Sequence, residues 1–210
     1  MIKIFHPGGW YAYKDYTTWL PEHTFVESIE EADLVLWAGG TDVSPTYYNE
    51  KHGKYTDNSD VIRDTVEFET FKKAQELGIP CLGICRGSQL LCVASGGKLI
   101  QHQQNPQSRH SMLTNTGETF IVTSSHHQAQ YPFDMSKDDY EIIGWTNALS
   151  KYHLDGEGNE LNPEKECEVV FYPKTKALAI QSHPEWMSYN SPTNIYFREL
   201  LQKYLALNSN

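Results

Sequence analysis

Residues 78–97, Gly-Ile-Pro-Cys-Leu-Gly-Ile-Cys-Arg-Gly-Ser-Gln-Leu-Leu-Cys-Val-Ala-Ser-Gly-Gly, constrain the fold more than any other stretch of the chain. Ile79–Ile84 reads as a short buried strand, and the stretch from about Gly87 to Ser95 as a packed helix closed by Gly96-Gly97. Between them stands Cys85, with Gly83 and Gly87 two residues away on either side. That is the layout of a strained strand-to-helix elbow, in which small flanking residues let the turn push one side chain into the open. Near the other end, Gln181-Ser182-His183-Pro184-Glu185 offers a base and a group to orient it.

The remaining chain supplies the sheet such an elbow needs. Ile2–Phe5 reads as a strand stopped by His-Pro-Gly-Gly, and Leu34–Ala38 as a buried strand feeding the loop Gly39-Gly40-Thr41-Asp42-Val43-Ser44-Pro45. Residues 62–77 place Ile62, Val66, Phe71, Ala74 and Leu77 at near-helical spacing, with Gly78 and Pro80 as stop signals. Further strands are expected at Leu99–Gln101, Thr119–Thr123, Tyr140–Gly144, Glu168–Tyr172 and Leu178–Gln181, and a last helix near residues 194 to 206. Strands alternating with helices argue for an α/β fold, a mostly parallel sheet covered on both faces, with the later strands as an antiparallel extension. In such sheets working residues gather at the carboxyl ends of the strands, where both Cys85 and Gly39-Gly40 fall. With no internal repeat or linker, the 210 residues suit one domain, 1–210.

Charge and cysteine usage exclude several functions. With 27 acidic against 17 basic residues and a net charge of −10, the chain lacks the basic surface that phosphate neutralisation requires, so nucleic acid is not an expected partner. No apolar run approaches the roughly 20 residues of a membrane span, and the first residues lack a secretory pattern, so a cytoplasmic protein is expected. Cys81, Cys85, Cys92 and Cys167 lack zinc-type spacing and read as free thiols, with all but Cys85 structural.

Cys85 is the candidate nucleophile, since a thiol at a helix start has its anion stabilised by the helix dipole. His183 is the candidate base and acid, and Glu185, across Pro184, would fix its tautomer. A cysteine hydrolase follows, which needs neither metal nor cofactor. His126 and His127, with His102 and His110, could instead suggest a metal, but adjacent histidines point in different directions. The aromatic segment of residues 10–19 is expected to pack in the core rather than wall a substrate, and Arg63-Asp64 to be a structural ion pair or a helix-start feature.

Six segments in order carry a family resemblance: Gly39–Pro45, Arg63-Asp64, Leu82–Gln89, Gly96–His102, Ser124-Ser125-His126-His127-Gln128 and Gln181–Glu185. On these, the chain resembles class I glutamine amidotransferase-like proteins, in the γ-glutamyl hydrolase or peptidase C26 branch that includes γ-glutamyl-γ-aminobutyrate hydrolases. The resemblance implies a flavodoxin-like doubly wound fold and a Cys85–His183–Glu185 triad. It implies an oxyanion hole from the backbone N–H groups of Gly40 and Arg86. Gly39, Gln89, Ser125, His126 and His127 would then hold a small γ-glutamyl substrate, with His126 favoured over His127 for contact. It also leaves open a glutaminase subunit that delivers ammonia to a separate synthetase. The aromatic content is compatible with a homodimer.

Overall fold

The structure, a computed structural model, describes residues 1–8, 14–57, 59–104, 109–146 and 150–207. Its strands are β1 (Ile2–Phe5), β2 (His23–Phe25), β3 (Leu34–Trp37), β4 (Cys81–Ile84), β5 (Lys98–Ile100), β6 (His102–Gln103), β7 (Arg109–Thr114), β8 (Thr119–Thr123), β9 (Ala129–Tyr131), β10 (Glu141–Thr146), β11 (His153–Leu154), β12 (Cys167–Tyr172) and β13 (Ala177–Ile180). Nine of them form one sheet in the order β2-β1-β3-β4-β13-β12-β10-β7-β8. From β2 to β13 every pairing is parallel, and from β13 to β8 every pairing is antiparallel. The parallel part has the 2-1-3-4-5 order of flavodoxin-like folds. The expected fold class and its antiparallel extension are both present.

Side chains leave a strand alternately to its two faces, and here both faces are buried. Ile2, Ile4, Leu34, Leu36, Leu82, Ile84, Leu178 and Ile180 enter one core, closed by Phe197, Leu200 and Leu201 of the helix α3 (Pro192–Leu205). Val35, Trp37, Cys81, Ala177 and Ala179 enter the other, beneath the helices α1 (Val61–Leu77) and α2 (Arg86–Ala94). Each helix starts where its sequence permits. Asp60 caps α1 by accepting from the Arg63 N–H, and Ser191 caps α3 by accepting from the Asn194 N–H. Gly78 ends α1 in the left-handed conformation at φ 69°, as its stop-signal role requires.

Three expectations are corrected. First, the helix at residues 62–77 is present, but Ile62, Val66 and Leu77 are exposed, while Asp64, Glu67, Phe71 and Ala74 are buried. The apolar pattern misleads because the end of the buried stripe nearest Cys85 carries two acids that hold an arginine. Second, Arg63 and Asp64 do lie in the first turn of α1, but each pairs elsewhere: Arg63 with Glu67 and Asp64 with Arg86. Third, the Leu99 strand pairs with β9 in a small separate sheet rather than joining the large one. Residues 10–13 lie outside the described set, and Trp19 packs edge-on against Phe197 in the core as expected. No helix among the described residues is long and apolar enough to cross a membrane.

Candidate active site

Cys85 follows β4 directly and precedes α2, with φ 53° and ψ −111°, a conformation a side-chain-bearing residue rarely takes. Holding it costs about 1–3 kcal/mol, which the surrounding packing must supply. The Cys85 N–H donates to the Ile180 carbonyl at 2.8 Å, and its own carbonyl accepts from the Ser88 N–H, the Gln89 N–H and the Ser88 hydroxyl at 2.7 Å. Any side chain at Gly83 would collide with the Gly87 backbone, and any at Gly87 with the Trp37 carbonyl. The two glycines therefore let α2 sit directly on β3 and β4. The other cysteines are buried free thiols, and burial pushes Cys81 and Cys92 up to about 12 and Cys167 well above the usual thiol range.

His183 comes from the loop after β13, the strand that lies beside β4. Its backbone is fixed by β8: the His183 N–H donates to the Thr123 carbonyl at 2.9 Å, and the Thr123 hydroxyl donates to the His183 carbonyl at 2.7 Å. Pro184 then starts a single helical turn, Pro184–Trp186, that brings Glu185 back beside the imidazole. Glu185 Oε1 lies 2.6 Å from His183 Nδ1, leaving Nε2 as the working nitrogen. The buried Asn194 amide donates to the carbonyls of Pro184, Met187 and Ser188, which ties this loop to α3. Trp186 stacks on the imidazole at 3.7 Å with the planes 4° apart, and the Tyr16 ring is tilted at 42° to the imidazole with its centroid 6.4 Å away. The Tyr16 hydroxyl also stands where a side chain on Gly39 would go.

Burial alone would lower the pKa of His183. Hydrogen bonds to Cys85 and Glu185, together with their charges, outweigh it and raise the pKa to about 9. The structure thus brings Cys85, His183 and Glu185 into one row, in which the two neighbours raise the pKa of the imidazole between them.

The loop after β3 lies beside the same row, fixed by an ion network that sequence reading did not find. Arg86, 1% exposed, pairs with both Asp64 and Glu67 of α1. Glu67 also accepts from Arg63 Nε at 2.7 Å, and Arg63 Nη2 donates to the Ala38 carbonyl at 3.1 Å. Asp64 accepts from the Ser44 N–H at 3.0 Å. Both ends of the Gly39–Val43 loop are thereby tied to Arg86, the residue that follows Cys85. A side chain at Gly40, whose φ is 154°, would displace the Arg63 guanidinium from its place in this network. The signal was present in the spacing of Asp64 and Glu67, three apart on one helical face, but charged residues on a helix ordinarily read as a solvated face.

Of the remaining candidates, Gln89 is buried and donates to the Gln128 carbonyl at 3.0 Å and to Gln181 Oε1 at 3.4 Å. His126 is buried with Nδ1 2.8 Å from the Gln128 carbonyl, and burial lowers its pKa. Ser125 is exposed. His127 turns the other way: Nε2 lies 3.3 Å from Asp42, and the hydrogen bond to Asp42 raises its pKa against the opposing effect of burial. His102 Nδ1 lies 3.4 Å from His127 Nδ1, while His110 pairs with Glu168 at 2.8 Å. The four histidines therefore do not converge on one point. Among the described residues Asp42, Asp57 and His127 bring ligand-type atoms within 4.8 Å of one another.

Comparison with known proteins agrees with this architecture. Residues 18–138, more than half of the chain, match the peptidase C26 family. A Lactococcus lactis protein provisionally described as the glutamine amidotransferase-like protein YvdE is 37% identical over 117 residues, 46% of this chain and 50% of that protein. A Mycobacterium tuberculosis protein provisionally described as a glutamine amidotransferase is 45% identical over 179 residues, 75% of this chain and 52% of that one. The chain spans about half the length of these relatives. The crystal structure of a glutamine amidotransferase from Thermotoga maritima superposes with a TM-score of 0.54 over 96% of this chain and 85% of that one. At 16% identity, that likeness bears on the fold alone.

Proposed function

The chain belongs to the peptidase C26 family, and from that membership we propose that it is a cysteine-dependent hydrolase of γ-glutamyl amides, working through a γ-glutamyl thioester on Cys85. The observation that carries this reading is the row Cys85–His183–Glu185, with the imidazole pKa raised to about 9. The thiolate sulfur attacks the γ-carbonyl carbon, forming the C–S bond as the carbonyl electrons move to oxygen. The backbone N–H groups of Gly40 and Arg86 receive that oxyanion; Arg86 opens α2, where N–H groups lack intrahelical acceptors. Collapse breaks the C–N bond, and the His183 imidazolium protonates the departing amine. Neutral His183 then takes a proton from water as it attacks the thioester, the C–S bond breaks, and glutamate leaves. Gly39, Gln89, Ser125 and His126 are the residues we assign to the amino-acid end of the substrate; His127, turned toward Asp42, is left out of that set.

A panel of γ-glutamyl amides including glutamine, assayed for release of glutamate and amine, tests the reading. Turnover of an N-substituted amide supports a stand-alone hydrolase, and silence across the panel refutes it. A second reading, favoured by the relatives described as glutamine amidotransferases, is a glutaminase subunit that passes ammonia to a synthetase partner. It predicts slow glutamine hydrolysis alone and a large rise when that partner is added.

The protonation state of His183 gives a pH prediction. Acylation requires imidazolium, so its rate is expected to fall as pH rises through about 9. Glu185→Gln removes an anion that stabilises the imidazolium, so the alkaline limb should move to lower pH and the maximal rate should drop about 10²-fold or more. Single-turnover rates between neutral and alkaline pH read both effects. An unmoved limb would mean that Glu185 does not act on the imidazole.

A further inference from the structure

The geometry points to a binding site for one divalent first-row transition ion, of the Zn²⁺ or Co²⁺ class, held by Asp42, Asp57 and His127. The site lies outside the Cys85–His183–Glu185 row and stands independently of the hydrolase reading. His127 Nε2 is 3.3 Å from Asp42 Oδ2 and 3.9 Å from Asp57 Oδ2, and the three residues bring their ligand atoms within 4.8 Å of one another. A charge-assisted N–H···O bond closes to about 2.7–2.9 Å, so the imidazole is closed on neither carboxylate. Ligand atoms about 2.0–2.2 Å from a tetrahedral ion stand about 3.3–3.6 Å apart, close to the spacing of His127 and the two carboxylates.

Charge favours the same occupant. Among the described residues His127 is the one basic side chain within ion-pair distance of either carboxylate. Two carboxylates sharing one imidazole carry surplus negative charge, which a doubly charged cation neutralises. One imidazole nitrogen with two carboxylate oxygens suits Zn²⁺ or Co²⁺ better than Mg²⁺, which prefers oxygen donors throughout.

The donors are also held in place and reachable. Asp42 is buried, and its Oδ2 accepts from the Asp57 N–H at 2.8 Å. The His127 carbonyl accepts from the Gln103 N–H at 2.8 Å, and His102 backs the ring, with its Nδ1 3.4 Å from His127 Nδ1. A proton shared between these two Nδ1 atoms leaves His127 Nε2 available to an ion. His102 is itself stacked on Tyr55 at 4.1 Å and lies 3.4 Å from the Tyr152 hydroxyl. The Asp57 side chain is 73% exposed, which gives the ion an entry path. Asp42 belongs to the loop after β3 and His127 to the loop after β8, so one ion joins the two loops.

The test uses Cys85→Ala protein stripped with a chelator, so that the nucleophile's thiol supplies no ligand. Titrated with Co²⁺ and followed by visible absorption, or with Zn²⁺ and followed by calorimetry, it is expected to take up one equivalent of either ion. Zn²⁺ at about a hundredfold over its Kd should raise Tm by roughly 5 °C or more. Asp57→Ala and His127→Gln, each added to Cys85→Ala, should weaken binding about tenfold or more. Asp57→Ala keeps the backbone N–H that Asp42 needs, so its fold is expected to survive. His52→Gln, at an exposed histidine outside the cluster, should bind as before. No uptake, or uptake that Asp57→Ala and His127→Gln leave unchanged, overturns the site. An equal loss in His52→Gln would mark an adventitious surface ion and overturn it as well.

Discussion

Cys85→Ala is expected to lower the turnover of every γ-glutamyl substrate by about 10⁴-fold or more while leaving the protein folded. The substitution removes one sulfur and disturbs little else. Cys85 makes its structural hydrogen bonds through its backbone, to Ile180, Ser88 and Gln89, and alanine keeps all of them. The φ of 53° is held by those bonds and by the close seat of Gly87 on Trp37, neither of which involves the thiol. What disappears is the partner of His183. The imidazole then loses one of the two interactions that raise its pKa, so the variant's His183 should titrate below about 9. Glutamate release and a histidine titration followed by NMR check the two halves separately. Activity retained in Cys85→Ala would require another nucleophile and would end the thioester reading.

Arg86→Met should cost about 3–5 kcal/mol of folding stability, the usual consequence of removing one partner from a buried ion pair. Arg86 and Asp64 are both almost fully buried; without the guanidinium, Glu67 keeps Arg63 and Asp64 keeps the Ser44 N–H. Burial already raises the Asp64 pKa, against the pull of the Ser44 N–H and Arg86. In the variant it rises further above its unfolded value. A carboxyl with a raised folded pKa binds its proton more tightly when folded, so the stability deficit should shrink as pH falls towards that pKa and be largest above it. Urea titrations at several pH values measure this directly. The backbone N–H of residue 86 survives the substitution, so a fall in kcat among the folded molecules would report the loosened Gly39–Val43 loop. A loss under about 1 kcal/mol at neutral pH would mean that the network is incidental.

These two residues also show what could be read from the chain and what could not. The elbow was legible because it is a local constraint: Gly83, Cys85 and Gly87 encode a backbone conformation within five residues, and Gly78 and Pro80 mark the strand's beginning. His183-Pro184-Glu185 was legible for the same reason. The ion network was not, because Arg86, Asp64 and Glu67 acquire their meaning only when α1 and α2 lie side by side. The same limit hid β7, whose residues Arg109–Thr114 are mostly polar and gain strand structure from pairing with β8 and β10 on both sides. It also explains His126 and His127. Adjacent in sequence, they face a buried carbonyl and the Asp42 carboxylate respectively, and only the fold separates those environments.

The central claim is a covalent bond between Cys85 and the γ-carbonyl carbon, and trapping it is the most direct measurement. Wild-type protein mixed with a γ-glutamyl amide, quenched in acid within the first turnovers and examined by intact and peptide mass spectrometry, should carry one added γ-glutamyl group. The account predicts that group on the peptide containing Cys85, lost on treatment with hydroxylamine and absent from Cys85→Ala. Substrate turnover with no adduct at any quench time, or an adduct on a different residue, would contradict it.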